Sequence, residues 1–362
     1  MALAEKITVT ASRTTGGSAA ISNIQSFNLA SGRTNIDDNY RAGRATLTGR
    51  VPSSLPTIRL DDYIDVTVAL SGSTGGLGSI VYQLRVTDLE ITYGIVSAED
   101  TWTINLEDAF GLLGRALVSL SVADGLLTTS AAEDVCDQVP DVAFFTIGTA
   151  TKTKVNAQTF TNANALDAFQ TYANTEWAYV LANGNAIRWF ARNTWVDNAS
   201  VVNFADDGTG FEFQTLEFNT LSESNADRVV INVRGGSTAT AGTGAIGLQL
   251  DSYSQTASEA TNLANYILAV FSSTEPRPFQ LSYLLNNQEA TGLLNAVDPN
   301  YPKQIELKFR GSTYTAFVLG FSLSVTPEVC RATLNLLPSQ ATNFLILNDT
   351  VFGTLNNNRL GY

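Results

Sequence analysis

The chain has 362 residues, 44% of them hydrophobic, a formal charge of −13 and no histidine. That length supports two or three domains with sizeable cores, and that apolar content belongs to a folded chain rather than a disordered one. The missing histidine removes the usual general base near neutral pH and the commonest transition-metal ligand.

Cys136 and Cys330 lie far apart, so two reduced, buried thiols are expected rather than a disulfide framework. No run approaches the ~18 apolar residues of a membrane span, and residues 1–13 lack the apolar core of a secretory signal, so synthesis and folding in a cytosol are expected. The charge is localised. Residues 71–230 hold 20 acidic and 7 basic side chains, and the flanks together hold 14 of each. Such clustered acidity opposes a nucleic-acid-binding surface, which needs Lys and Arg to displace counterions.

Taken in order, the chain opens with three apolar-rich runs, 24–29, 45–49 and 58–70, separated by turn-rich joints at 31–38 and 52–56. Asp65, Thr67 and Ala69 alternate with Ile64, Val66, Val68 and Leu70, the period of two that marks a strand with one buried face. Pro52 and Pro56 cannot donate to a sheet ladder, which puts the segment between them in an exposed loop or at an edge. A Gly-rich loop at 71–79, an alternating run at 80–93 and a strand at 101–106 complete a first β region, a barrel or sandwich wall. Gly75 and Gly76 lack the following Lys and helix of a phosphate cradle, so a loop tip is the stronger reading.

From Ser130 the texture changes. Ser130 with Glu133 is a capping-box signature for a short helix that ends before Pro140. Asn164 caps a second helix over 164–174, whose Ala165, Leu166, Phe169, Tyr172 and Ala173 share one face. Residues 177–192 read as a hairpin turning at Asn183-Gly184. Trp177, Trp189 and Trp195 have the chemistry to stack on sugars, although aromatics on a half-buried hairpin belong more often to a core.

Residues 228–234 open a second β region. The stretch 235–247 is so small and flexible in composition that it reads as a mobile loop, disordered until a neighbour orders it. Gly242, Gly244 and Gly247 match the spacing of a dinucleotide-binding loop, but no compact strand-turn-helix unit surrounds them. Residues 256–271 are the clearest helix, opened by a Thr256–Glu259 capping box and lined by Ala260, Leu263, Ala264, Ile267, Leu268 and Phe271, with Pro276 and Pro278 beyond its end. Strands follow at 280–285, 304–309, 314–325 and 330–337. The Asn- and Gly-rich tail reads as a segment docked on a neighbour, with Phe344, Leu345 and Phe352 as its interface side chains.

The resulting fold class is mainly β with an α+β insertion. The expected domains are a barrel-like β domain at 1–115, a small α+β domain at 116–215, and a second barrel-like domain at 216–362 that carries the long helix and the docking tail. No nucleophile elbow, phosphate loop or Cys/His cluster is present, so no catalytic, cofactor-binding or metal-binding residue is assigned and no enzyme activity is expected. Asp206 with Asp207, Glu212 with Glu217, and Asp37 with Asp38 are nominal carboxylate pairs for glycoside hydrolysis. Asp206-Asp207-Gly208 lacks the alternating ligands of a calcium loop and reads as a turn.

Several stretches together carry a family resemblance: SGRTNIDDNYRAGRATLTGR with VPSSLPTIRLDDYIDV at 31–66, TNANALDAFQTYANTEWAYVLANGNAIRWFAR at 161–192, the strand-loop-helix block at 226–271, LGFSLSVTPEVCRATLNLLP at 319–338 and LNDTVFGTLNNNRLGY at 347–362. In their order and spacing, nearly the whole chain resembles the minor tail proteins that form the tail hub of long-tailed bacteriophages. The resemblance implies a structural virion protein, a ring between the tail tube and the baseplate or tail tip. It also implies two barrel-like tube domains flanking an insertion, and a homotrimer whose six barrels let a threefold ring meet a sixfold tube. Its partners would be tail-tube or distal tail proteins on one side and tail-tip or baseplate proteins on the other, with DNA passing through unbound. No lysozyme-like or peptidase module is expected. The alternative from another class is a carbohydrate-binding tail or cell-surface adhesion module that uses the tryptophans.

Overall fold

The computed structural model describes residues 7–16, 18–34, 38–51, 58–70, 78–96, 99–148, 153–192, 200–219, 226–245, 247–271, 277–285, 292–338, 344–345 and 359–360. The first β region comprises β1 (Ile7–Arg13), β2 (Ala19–Ile21), β3 (Ile24–Gly32), β4 (Arg44–Arg50), β5 (Tyr63–Leu70), β6 (Ser79–Thr92) and β7 (Thr101–Glu107). The alternation expected in β5 is present: Ile64, Val66 and Val68 are fully buried, and Asp65 and Thr67 between them are partly exposed.

The middle of the chain is α1 (Ala109–Arg115), β8 (Leu117–Val118), β9 (Ser121–Val122), α2 (Thr128–Asp137), β10 (Ala143–Ile147), β11 (Gln158–Thr159), β12 (Ala163–Asn164), α3 (Ala165–Glu176), β13 (Tyr179–Asn183) and β14 (Ala186–Phe190). The Asn164 cap forms as expected, its side chain accepting from the Asp167 N–H at 3.1 Å. The hairpin turns at Gly184-Asn185, one residue later than expected: Asn183 ends β13 paired with Ala186, and Gly184 takes the positive φ, +65. The Ser130–Glu133 box does not open α2. The helix starts at Thr128, where both the N–H and the Oγ1 of Thr128 donate to the Thr153 carbonyl, and Ser130 falls inside it.

The remainder is β15 (Ser200–Ala205), β16 (Thr215–Asn219), β17 (Arg228–Val233), β18 (Ala239–Gly242), β19 (Gly247–Ser252), α4 (Ala257–Phe271), β20 (Arg277–Leu284), a 3-10 turn at Leu293–Val297, β21 (Lys303–Phe309), β22 (Ser312–Val325), β23 (Cys330–Pro338), and the short parallel pair β24 (Phe344–Leu345) with β25 (Arg359–Leu360). The capping box of α4 is complete: Glu259 Oε2 accepts the Thr256 N–H at 3.1 Å and Thr256 Oγ1 accepts the Glu259 N–H at 3.2 Å.

The stretch 235–247 is a correction. Instead of a mobile loop it contains β18 and the start of β19, which flank β17 in a three-stranded sheet under α4. Its small residues serve close packing. Ala239 and Ala241 are buried in the same cluster as Ala260, Leu263 and Ala264 of the helix. A Cβ at Gly242 would collide with the Asp227 carbonyl oxygen.

Thirteen strands form one sheet in the order β16-β20-β23-β22-β3-β4-β7-β6-β5-β1-β2, with β21 on β22 and β15 on β21. Every pair is antiparallel except β15 with β21. The two β regions therefore share a sheet, and neither closes into a barrel among the described strands. Three cores result. One runs under both halves of the large sheet, one fills the α1–α3 region around Phe169 and Trp189, and one lies where α4, the β13–β14 hairpin and β22 meet. Buried tyrosines tie these bodies together. Tyr40 Oη donates to the Ala178 carbonyl and accepts the Val180 N–H, Tyr179 Oη donates to the Val318 carbonyl, and Tyr82 Oη donates to the Val297 carbonyl.

Candidate assembly interface

The large sheet contains the same five-stranded unit twice. In space the first unit runs β5-β6-β7-β4-β3 and the second β21-β22-β23-β20-β16, and both visit these strands in the same chain order. The long middle strands, β6 and β22, are 14 residues each, and each is bulged once against its partner, between Val86 and Asp88 and between Val318 and Gly320.

Registers match across β6–β7 and β22–β23, while β3–β4 and β16–β20 are bulged at different points, between Ile24 and Ser26 and between Glu217 and Phe218. Asp88 pairs with Asn105 and Gly320 with Asn335; Thr48 pairs with Thr103 and Ser282 with Thr333. Side chains repeat too. Ser26 and Thr48 hydroxyls meet at 2.6 Å, and their counterparts Thr215 and Ser282 meet at 2.5 Å. The sequence carries this echo in Thr103-Ile104-Asn105-Leu106 and Thr333-Leu334-Asn335-Leu336, a signal that four residues cannot raise above chance until the register aligns them.

Within the chain the units meet at one seam. The outer strand of the first, β3, pairs with the second half of β22, from Phe27 with Val325 to Gly32 with Gly320. Backbones are pressed together there: a Cβ on Gly320 would lie 2.5 Å from the Arg33 carbonyl oxygen, and Gly32 adopts φ +83. The counterpart edges are open. Among the described residues, β16, which corresponds to β3, pairs only with β20, and residues 88–92 of β6, which correspond to the seam half of β22, pair only with β7. Ile91 and Tyr93 beside that second edge are exposed, Tyr93 by 74%.

No protein-family model matches the chain, and no curated protein does. Solved structures do. A tail protein from Neisseria meningitidis MC58 superposes with a TM-score of 0.63 at 10% identity, over 92% of this chain and 97% of that one. The 43 kDa tail protein of prophage MuSo2 from Shewanella oneidensis gives 0.58 at 11% identity, over 92% and 98%. Prophage tail protein gp18 from Listeria monocytogenes EGD-e gives 0.55 at 11%, over 91% and 94%. The chain has a phage tail-protein fold.

On this tail-protein fold the residues singled out for other chemistry are spent on structure. Trp177 and Trp189 are buried, and Trp189 packs edge-on to Phe169 at 5.7 Å, so neither offers a face to a sugar; Trp195 lies outside the described residues. Asp206 accepts the Arg310 N–H at 2.9 Å, and Asp207 accepts from the N–H and hydroxyl of Thr209, bonds that hold its carboxyl below the usual range. Glu212 and Glu217 are exposed, Asp38 is half-buried, and Asp37, Gly75, Gly76 and Phe352 lie outside the described residues, as do the side chains of Phe344 and Leu345.

Five buried carboxylates went unrecognised in the sequence, where each looks like any acidic residue: Asp62, Glu107, Asp108, Glu176, and Asp298 in its pair with the buried Lys303. Glu107 sits between Arg85, at 3.4 Å, and Arg115. Asp108 caps α1 through the Phe110 N–H at 3.0 Å, and burial raises its carboxyl to about 7. Glu176 is likewise raised by burial.

Both cysteines are buried free thiols, and burial pushes Cys330 up to about 12. Among the described residues no three His, Cys, Asp or Glu side chains gather as a metal site, and no helix is long and apolar enough to cross a membrane. Apart from Asp100, Glu107, Asp108 and Glu176, the described acidic residues of the block 71–230 are exposed, scattered from the end of β6 through α2 and α3 to β16 and the start of β17.

Proposed function

We propose that this protein is a structural subunit of the ring-shaped hub that joins a phage tail tube to its baseplate or tail tip. The observation that carries the reading is the doubled five-stranded unit, in a chain whose fold matches phage tail proteins over more than nine-tenths of both lengths. Two similar units per chain let three copies present six similar positions, which is how a threefold ring meets a sixfold tube. The two β regions act as the tube domains, with the α+β segment 109–190 between them; β15, which the expected insertion of 116–215 included, belongs to the large sheet. The tail docks on a neighbour through Phe344, Leu345 and Phe352. DNA passes along the axis without specific binding, and the exposed carboxylates that face the channel repel its phosphates.

Imaging of tails carrying an epitope on this chain tests the reading. A threefold ring at the tube-to-tip junction is expected. A label along the tube, on fibres, or absent from the particle overturns it. The adhesion alternative loses its basis in the burial of Trp177 and Trp189.

A further inference from the structure

We infer that the seam between the two β units inside one chain is repeated between chains, with the free edge of β16 in one copy pairing with residues 90–93 at the open edge of β6 in a second copy. The proposal rests on the three-copy reading above and names the surface that closes the ring.

Matching registers of the two units fix the expected pairs. The shared bulge aligns Val86 with Val318, hence Ile91 with Leu323, Thr92 with Ser324 and Tyr93 with Val325. On the other side, Ser26 and Thr48 align with Thr215 and Ser282, hence Phe27 with Leu216 and Asn28 with Glu217; the extra residue of the next bulge, Phe279, lies on β20, so counting on along β16 sets Leu29 with Phe218. The internal seam pairs Leu323 with Leu29, Ser324 with Asn28 and Val325 with Phe27. Transposed, it pairs Ile91 with Phe218, Thr92 with Glu217 and Tyr93 with Leu216 across two copies.

Burial agrees with this assignment. Leu323, Leu29, Val325 and Phe27 are each 5% exposed or less, whereas their counterparts Ile91 and Tyr93 are exposed and Leu216 and Phe218 are half-buried. The four apolar side chains left wet in one copy are those that the internal seam covers. The lone edge is meanwhile guarded, because the Asp88 carboxylate accepts the Leu89 N–H at 2.9 Å, a charge that discourages indiscriminate strand addition. An interface of this kind is heterologous, one edge on each side, so successive copies generate a ring if the rotation closes.

Cysteine pairing reads the register directly, since neighbouring residues across an antiparallel pair lie within disulfide reach. In the full chain, Ile91→Cys with Phe218→Cys should give covalent multimers up to a trimer under mild oxidation, with a disulfide-linked peptide joining positions 91 and 218 in the digest. Ile91→Cys with Glu217→Cys puts the thiols on opposite faces and should give none. Tyr93, 74% exposed, has little to lose in the lone chain, so Tyr93→Asp should leave the monomer's melting unchanged while weakening association by roughly tenfold or more, the scale for burying one such side chain.

A trimer that forms without the link between positions 91 and 218, or links equally well through position 217, overturns the seam and leaves the hub reading standing. The correct link in open chains of indefinite length keeps the seam and overturns three-copy closure. A protein that stays monomeric at high concentration overturns both.

Discussion

Gly320→Ala is the sharpest perturbation of the internal seam. Its new Cβ would lie 2.5 Å from the Arg33 carbonyl oxygen and 2.7 Å from both the Arg33 nitrogen and the Ser31 carbonyl oxygen, all backbone atoms that cannot rotate away. Optimal contact needs about 3.5 Å, so β3 and β22 must separate by up to about 1 Å. That movement stretches the Arg33 N–H bond to the Leu319 carbonyl, now 3.0 Å, toward the limit of a hydrogen bond. Overpacking costs about 1–3 kcal/mol and the weakened bond about 1 kcal/mol, so the loss should be about 2–4 kcal/mol. Gly32→Ala collides with the Leu319 carbonyl oxygen and also holds φ +83, which adds about 1–2 kcal/mol. Gly311, at φ +81 with nothing within 4 Å of a new Cβ, provides the control: Gly311→Ala should cost only the conformational part. Urea unfolding of the four proteins, read as midpoint shifts at unchanged slope, gives the comparison. Gly320→Ala within about 0.5 kcal/mol of the parent, a value well under the ~1 kcal/mol minimum of overpacking, would refute the close seam.

Tyr40→Phe strands the Val180 N–H and the Ala178 carbonyl; a loss of about 1–3 kcal/mol and faster amide exchange at Val180 should follow. Asp108 titrates near 7 when folded against 3.8 when free, so folding takes up a proton between those values. Its contribution should make stability fall as pH rises from about 4 to about 7, and Asp108→Asn should flatten that slope in a pH series of urea midpoints. Trp189→Ala should cost about 3–5 kcal/mol with no selective change on a glycan array, because the ring is in the core. Truncation after Pro338 should weaken ring formation or docking while leaving the melting of the subunit largely intact; a truncated chain that assembles normally would show the tail to be dispensable.

Strands and helices with strong local signals were legible in the sequence. Asn164, Thr256 with Glu259, and Gly184 mark element ends through side-chain or backbone chemistry confined to a few residues, and each sits where that chemistry requires. What was not legible depends on partners distant in the chain. The start of α2 is set by Thr153, and β18 reads as a loop because its alanines gain their value only under α4. The joining of β3 to β22 spans about 290 residues and leaves as its trace two glycines, a residue type with many other uses. The edges of β6 and β16, open among the described residues, were missed for the same reason, since an edge is defined by strands distant in the chain.

Comparison of the two units shows how cover dictates composition. Where the first crosses from β3 to β4 through residues 33–43, the second inserts β17–β19 and α4 between β16 and β20. That insert rests on Phe317, Leu319 and Leu337 of β22 and β23, all in one core with Ala260 and Leu263. Register places Arg85, Thr87 and Glu107 at the corresponding points of β6 and β7, where Glu107 is buried against α1 and paired with Arg85 and Arg115. The pair Phe317–Leu337 in one unit is thus the pair Arg85–Glu107 in the other, at the same place on the same two strands. An apolar residue in place of Glu107 would leave two arginines without their carboxylate, and a charged pair under α4 would bear a desolvation cost with no such partner to offset it. The strands can therefore repeat while their outward faces diverge. On the three-copy reading, a neighbour that touches only the strand framework meets six similar positions, whereas one that touches the α4 insert or the Arg85–Glu107 face meets three.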